Sequence, residues 1–320
     1  MKAVVTWALA LAGIGLSAVT LLGFAGEIWW PLGLLDHFRL QYAWLLLLVE
    51  LAAMLLWKRW AVLLVIPLAL NVVPIFLATA PPRDRLEIAP TRLSIFHANI
   101  DHTRTQTDAV VALLNDAPAD IVLLQEVTPD TLAQLQAGLT GYRLVLAEPR
   151  RNSHGSAMFV PLTSALDIRE ARIIDLPDGS RRPLLVADLV FEGAPLRLMS
   201  AHVTLPKTQG TAAAQARELV ALGQWAADAM RMGNAVVLVG DFNAAPFSGQ
   251  FREMLDLGGL RNSQLGWPLQ MTWPAGWPVP LQIAIDHLVH SPDLATLARQ
   301  TGPEIGSDHL PLRVTLARRL

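Results

Sequence analysis

Three long apolar runs open the chain, and shorter alternating and helical patterns fill the rest. The first run goes from Ala3 to about Gly26 without a charge. The second goes from about Leu40 to Trp57, interrupted only by Gln41 and Glu50, and the third from Ala61 to Ala80. A hydrocarbon core takes about 20 apolar residues in helical form. The runs therefore predict three transmembrane helices, the shorter second one with its flanking aromatics at the interfaces. The first run is too long for an ordinary signal-peptide core and two spans follow it, so it reads as an uncleaved helix. Glu50 reads as a carboxyl facing the small bundle, and Pro67, Asn71 and Pro74 as a kink in the third helix. Pro81-Pro82-Arg83-Asp84-Arg85 reads as a linker. The chain then divides into an anchor (1–80), a linker (81–91) and a folded domain (92–320).

Beyond the linker, strand and helix periods alternate. Strands are expected at Arg92–Asn99, Ile121–Gln125, Arg143–Ala147, Ala157–Pro161, Ala165–Ile174, Leu184–Phe191, Leu196–Ala201, Ala235–Val239, Ile283–His290 and Leu312–Ala317. Helices are expected at Thr105–Asn115, Pro129–Leu139 and Thr211–Arg231. Many strands with few helices between them predict an α+β fold. Its form is a four-layer α/β/β/α sandwich of two packed mixed sheets, preceded by the three membrane helices.

Charge sharpens this division. Only 16% of the 320 residues are charged and 52% are hydrophobic. The first 80 residues hold four Lys/Arg and three Asp/Glu, whereas residues 81–320 hold 21 and 24, a formal charge of −3. A domain of that balance does not coat nucleic acid. The chain has no Cys, which excludes disulfides, thiolate metal sites and cysteine nucleophiles. Lys2 and the Lys58-Arg59 turn place the N-terminus and that turn in the cytoplasm by the positive-inside rule. The expected location is the cytoplasmic (inner) membrane, multi-pass, with residues 81–320 outside the cytoplasm; Arg83 and Arg85 argue mildly the other way.

The informative polar residues follow apolar strands, where a rigid element presents them to a cleft. They are Asn99-Ile100-Asp101, Gln125-Glu126, His202, Asp241-Phe242-Asn243 and Asp286-His287, and a final Ser307-Asp308-His309 precedes the last strand. Carboxylate and amide oxygens bind hard cations, and imidazoles move protons or donate to phosphoryl oxygens. No H-E-x-x-H, P-loop or G-x-G-x-x-G motif is present, so the inventory suits metal-assisted attack of water on a phosphate ester. Each piece has a plainer alternative: Asp-Phe-Asn as a turn, Glu126 as a helix-start acid before Pro129, His202 as a core histidine.

The ordered set Q-E-V, S-A-H-V, V-G-D-F-N, I-D-H-L and G-S-D-H-L-P resembles the endonuclease/exonuclease/phosphatase superfamily, the deoxyribonuclease I-like fold, over residues 93–317. The three preceding helices resemble a membrane-anchored bacterial branch that includes extracytoplasmic phosphatases of polyprenyl pyrophosphate lipids, some linked to glycopeptide resistance. The resemblance implies a catalytic domain at 92–320 that uses Mg²⁺ (or Mn²⁺). In it Glu126 is the principal metal ligand, with Asn99 and Asp308 completing the shell. Asp241 is the base for water, and Asn243 orients that water or a phosphoryl oxygen. His309 donates to the phosphoryl oxygen with Asp286 holding its ring, and His202 is a second imidazole on the phosphate.

Asp101 is open between metal surroundings and loop capping, and His154 is a further candidate phosphate contact. His97 reads as structural, and His287 as pointing to the opposite strand face. Arg150, Arg151, Arg181 and Arg182 read as surface residues able to meet phosphate. Trp267, Trp273 and Trp277, among four prolines, read as a rim that meets lipid. The expected function is therefore a membrane-anchored, metal-dependent phosphoesterase acting on a lipid phosphate or pyrophosphate, with no protein partner. The rivals are a nuclease with the same chemistry and a catalytically inactive binding domain on the same fold.

Overall fold

The computed structural model describes residues 2–320 apart from 27, 58–60, 83–86, 105 and 177–181. The charges at Lys58, Arg59, Arg83, Arg85 and Arg181 lie outside the described residues.

Helix α1 (Lys2–Gly23), α3 (Arg39–Trp57) and α4 (Val65–Thr79) carry most of three segments, Ala3–Gly23, Trp30–Leu55 and Ala61–Thr79, long and apolar enough to cross a membrane. The connection from α1 to α3 is a short helix α2 (Trp30–Gly33) and a 3-10 turn (Leu34–Phe38). Glu50 faces into the bundle. Asn71 does more than mark a kink: its amide donates to Thr20 Oγ1 at 2.8 Å and ties α4 to α1. Such ties are favoured where no water competes for the donor.

Among the described residues, twelve strands form two six-stranded mixed sheets. The first contains β1 (Leu93–Asn99), β2 (Ile121–Gln125), β3 (Tyr142–Glu148), β4 (Ser156–Pro161), β11 (Leu294–Thr301) and β12 (Leu312–Arg318), in the order β11-β12-β1-β2-β4-β3. The second contains β5 (Asp167–Ile174), β6 (Leu184–Phe191), β7 (Ala194–Ser200), β8 (Ala235–Asp241), β9 (Arg261–Asn262) and β10 (Asp286–His290), in the order β5-β6-β7-β8-β10-β9. Each sheet has one parallel pair, β1/β2 and β7/β8, flanked by antiparallel neighbours.

Strand alternation builds the layers. On β1, Leu93 and Ile95 face the second sheet and pack with Leu198, Val237 and Leu288. Phe96 and Ala98 face outward, beneath α5 (Asp108–Asp116) and α6 (Pro129–Gly138). On the far side, Val236 and Leu238 of β8 pack under α7 (Gln209–Arg231) and α8 (Gly249–Gly258). Burying each large aliphatic side chain contributes about 1.5–3 kcal/mol, so the middle layer fixes how the sheets stack. The helices start where side chains can cap them: Thr128 for α6, Thr208 for α7 and Ser248 for α8 each accept a backbone N–H.

The architecture is the expected α/β/β/α sandwich. The sequence did not predict α8, β9 or β11. The strand expected from Ile283 begins only at Asp286, because Ile283 instead bridges Trp273.

Candidate active site

The same alternation that makes the core delivers polar groups to its edge. His97 and Asn99 share the inner face of β1 with Leu93 and Ile95. Asp286 shares the inner face of β10 with Leu288, and the two strands carry these groups to one place. Asp286 is fully buried between two imidazoles: His97 Nε2 lies 3.0 Å from one carboxylate oxygen and His309 Nδ1 2.8 Å from the other. Arg299, from β11, lies behind it and donates to the Asp286 carbonyl at 3.4 Å.

Burial opposes a charge on Asp286, but His309 and His97 outweigh it and hold the carboxyl below its ordinary range. Burial likewise opposes charge on His309, but Asp286 and Asp241 prevail and push the ring up to about 10. This Asp–imidazolium pair is the arrangement that fixes a ring and keeps its far nitrogen a donor.

Asp241 ends β8, in register with Asp286. Its Oδ2 faces His202 Nε2 at 3.6 Å and His309 Nε2 at 3.7 Å. Those gaps exceed direct hydrogen bonds and leave all three atoms available to a small oxygen-bearing group. Its Oδ1 accepts the Asn243 N–H at 2.8 Å, and the Asn243 amide donates to the Val203 carbonyl at 2.9 Å. Asn243 has φ of 49°, a left-handed conformation that Asn tolerates. Burial pushes the Asp241 carboxyl upward. Burial, with Arg182 next, pushes the His202 ring down to about 3, so it stays neutral.

Gln125, at the end of β2, ties the sheets together here. Its Nε2 donates to Ser200 Oγ at 3.2 Å, and its Oε1 accepts the Asp241 N–H at 3.1 Å.

Glu126 follows with φ of 62°. This strained turn lifts its carboxylate out of the ladder. The Asn99 amide donates to its Oε1 at 3.0 Å and the His102 N–H to its Oε2 at 3.1 Å, while His102 Nδ1 also contacts Oε2. Asp101, His102 and Glu126 offer ligand atoms all within 4.8 Å of one another, and such oxygen-rich donors suit a hard divalent cation. Asp241, Asp286 and His309 are equally close. There, however, both Asp286 oxygens are taken by imidazoles, so that group is a proton-holding network.

A cavity of about 740 Å³ joins these parts. Glu126, Asp241 and His309 all line it, with His202, Asn243 and Asp308. Asn99 and Asp286 do not line it; they act on it through Glu126 and His309. The Asp308 carboxylate accepts the Trp273 indole N–H at 3.0 Å. Asp101 lines the cavity, yet its carboxylate accepts from Thr103 and Arg104 and so closes the turn. Ser153 rather than His154 lines the cavity, yet His154 lies close enough to Arg182, Glu126 and His102 for their charges to act on its ring.

The three tryptophans of the rim separate. Trp273 enters the cavity, Trp277 is 59% exposed, and Trp267 is half-buried beside Pro82. Arg150 pairs with Glu148 at 3.2 Å. Arg182 is not a surface residue: it lines the cavity and donates to the His202 carbonyl at 3.2 Å. His287 points to the outer face, onto the Ala244 carbonyl at 2.8 Å, as alternation requires.

Sequence reasoning missed His102, whose only signal was its place three residues past a strand end. It also left His97 without its partner, although its inner-face parity with Asn99 was readable.

Residues 96–309 match the family model described as the Endonuclease/Exonuclease/phosphatase family. Solved structures share the fold. An endonuclease/exonuclease/phosphatase family protein of Bacteroides thetaiotaomicron is 17% identical over 72% of this chain and 100% of its own, with a TM-score of 0.58. TDP2 of D. rerio, complexed with a single-strand DNA product, is 19% identical over 71% of this chain and 99% of its own, with a TM-score of 0.56. A mannosyl-6-phosphatase of B. thetaiotaomicron is 16% identical over 70% and 99%, also with a TM-score of 0.56. No curated protein matches the sequence.

Proposed function

From the premise that the chain belongs to the Endonuclease/Exonuclease/phosphatase family, we propose that it is a divalent-metal-dependent phosphoesterase. Its substrate in this reading is a phosphate ester or pyrophosphate of a membrane lipid. One observation carries the chemistry: a single Asp241 oxygen faces the free Nε2 atoms of His202 and His309 across 3.6 and 3.7 Å. A water or phosphoryl oxygen placed there meets a base and two imidazoles together.

Asp241, its carboxyl raised by burial, takes the proton of the attacking water, and Asn243 holds that carboxylate in place. His309, kept protonated by Asp286, donates to the phosphoryl oxygen as negative charge builds, and His202 contacts a second oxygen. His97 and Arg299 are positioning residues that act through Asp286. Arg182 stands in the cavity wall with buried Glu218 3.8 Å behind it. Glu126, Asn99 and Asp308, with Asp101 and His102 beside them, would hold Mg²⁺ or Mn²⁺, which when bound supplies positive charge to the phosphoryl group.

The lipid assignment is supported by the three apolar helices and by the domain's charge of −3, which offers no basic track for nucleic acid. The same reading places the protein in the cytoplasmic membrane with residues 92–320 outside the cytoplasm.

The test is phosphate release by the full chain from lipid phosphates, lipid pyrophosphates, and single- and double-stranded DNA, with EDTA and with Mg²⁺ restored. Lipid turnover that EDTA abolishes, Mg²⁺ restores and Asp241→Asn eliminates is the expected result. DNA cleavage without lipid turnover, or turnover indifferent to EDTA, would overturn it.

A further inference from the structure

The segment between the first two apolar helices is part of the catalytic cavity. Leu34, His37 and Phe38 line it together with Glu126, Asp241 and His309. On the domain side Leu205 and Ile283 complete an apolar wall. Phe38 and Leu205 remain 39% and 44% exposed, so that wall has room for an apolar occupant.

Contacts from this segment and from the adjoining helix ends hold the anchor to the domain. His37 Nε2 lies 3.4 Å from the Asn243 carbonyl, Gln41 Nε2 donates to the Gln282 carbonyl at 2.8 Å, and the Thr79 carbonyl accepts the Gly266 N–H at 3.0 Å. They fall at the end of α4 and the start of α3, so the cavity opens on one end of the helix bundle. The segment itself is fixed. Arg39 pairs with buried Asp36, donates to the Leu70 carbonyl at 3.2 Å and lies 4.2 Å above the Phe24 ring. A Cβ on Gly26 would sit 2.7 Å from Gly33 Cα, so two glycines let the loop close.

The 19 residues of α3 span about 28 Å, close to the hydrocarbon thickness. With α3 as the span, residues 34–38 fall at its headgroup end, inside the longer apolar stretch Trp30–Leu55. On the domain side Val279 and Leu281 are mostly exposed next to the Gln41–Gln282 contact, where they would meet the same interface.

Resting on the phosphoesterase reading, we infer that Leu34 and Phe38 determine specificity. They take the first carbons of an isoprenoid or acyl chain whose phosphate lies at Asp241 and His309, while the rest of the chain stays in the bilayer. The anchor thus selects the substrate as well as tethering the domain.

The experiment uses the full chain in phosphatidylcholine vesicles with C5 and C15 prenyl pyrophosphates, which share a headgroup and differ in chain length. Wild-type kcat/KM rises with chain length. Phe38→Ser and Leu205→Ser lower the C15:C5 ratio roughly tenfold, the scale of removing one large apolar contact. Phe38→Leu retains most of the ratio, and Leu162→Ser, at an exposed turn on the opposite end of β4, leaves it unchanged. The paired variants on anchor and domain guard against a folding defect in either. Equal kcat/KM for the two chain lengths in the wild type, or an unchanged ratio in Phe38→Ser, would overturn the inference and leave the phosphoesterase reading standing. DNA cleavage with neither prenyl ester turned over would remove both.

Discussion

Gly240 offers the sharpest test of how the site is held. It precedes Asp241 on β8 and has φ of 154°. A Cβ there would lie 1.9 Å from the Ala201 carbonyl oxygen and 2.5 Å from Gln125 Nε2. Real Cβ contacts stop near 3.0 Å, so the ends of β7 and β8 must part by about 1 Å before an alanine fits. His202 follows Ala201 and Asp241 follows Gly240, so the opening acts on their 3.6 Å approach. It also strains the Gln125 tie between the sheets. A misplacement of about 1 Å at reacting groups costs roughly 100-fold in rate. Overpacking costs about 1–3 kcal/mol of stability.

Gly240→Ala is therefore expected to lose at least about 100-fold in kcat for lipid phosphate while still melting cooperatively. Gly233→Ala is the control. Its φ is 85° and nothing lies within 4 Å of the added Cβ, so it should cost about 1 kcal/mol and keep its kcat. The assay is phosphate release per folded molecule, with the folded fraction taken from the melting amplitude. Equal kcat in both glycine variants would refute the claim that the spacing of these strand ends sets the reaction geometry.

Asp286→Asn leaves His309 buried without its nearest carboxylate. The ring's pKa falls from about 10, and the rate lost near pH 8 should partly return as the pH is lowered; an unchanged pH–rate profile would count against His309 as the proton donor. Arg182→Gln removes a hydrogen bond from the His202 carbonyl and a charge from the cavity, so KM should rise about tenfold, measured by steady-state kinetics. His290, buried on β10, is pushed down to about 4, first by burial. The unfolded chain takes up this proton below pH 6.5 and the folded one does not, so stability is lost as pH falls from 6.5 to 4. The loss approaches about 3 kcal/mol. His290→Gln should flatten that part of the melting temperature against pH, and a curve as steep as the wild type's would exclude His290 as its source.

The parts of the fold that local pattern can encode were readable. β1 announced itself through alternation, and the polar residues after β1, β2, β7 and β8 lie where a strand end delivers them. Elements whose composition contradicts their place were not readable. β11, Leu-Ala-Thr-Leu-Ala-Arg-Gln-Thr, is rich in helix formers and becomes a strand only because β12 supplies a ladder partner. α8 is a ten-residue helix that opens on a glycine, and its capping serine is a weak signal alone. In the site, single-residue chemistry was legible and the family resemblance supplied the Asp286–His309 pair, but the second partner of Asp286 was not readable. Nothing near His97 in sequence points to Asp286, 189 positions away. Nor does anything near Leu34 and Phe38 point to the cavity they line. Their position follows from how the anchor seats against the domain.

β12 closes the first sheet by pairing with β1, the earliest strand of the domain, and it follows every other described element in the order of synthesis. Until the ribosome has released it, β1 has an open edge, a hazard for sticking to other nascent chains. Asp308 and His309 stand immediately before it. The proposed site is thus incomplete in a growing polypeptide until the segment that carries Asp308 and His309 has emerged and docked on β1.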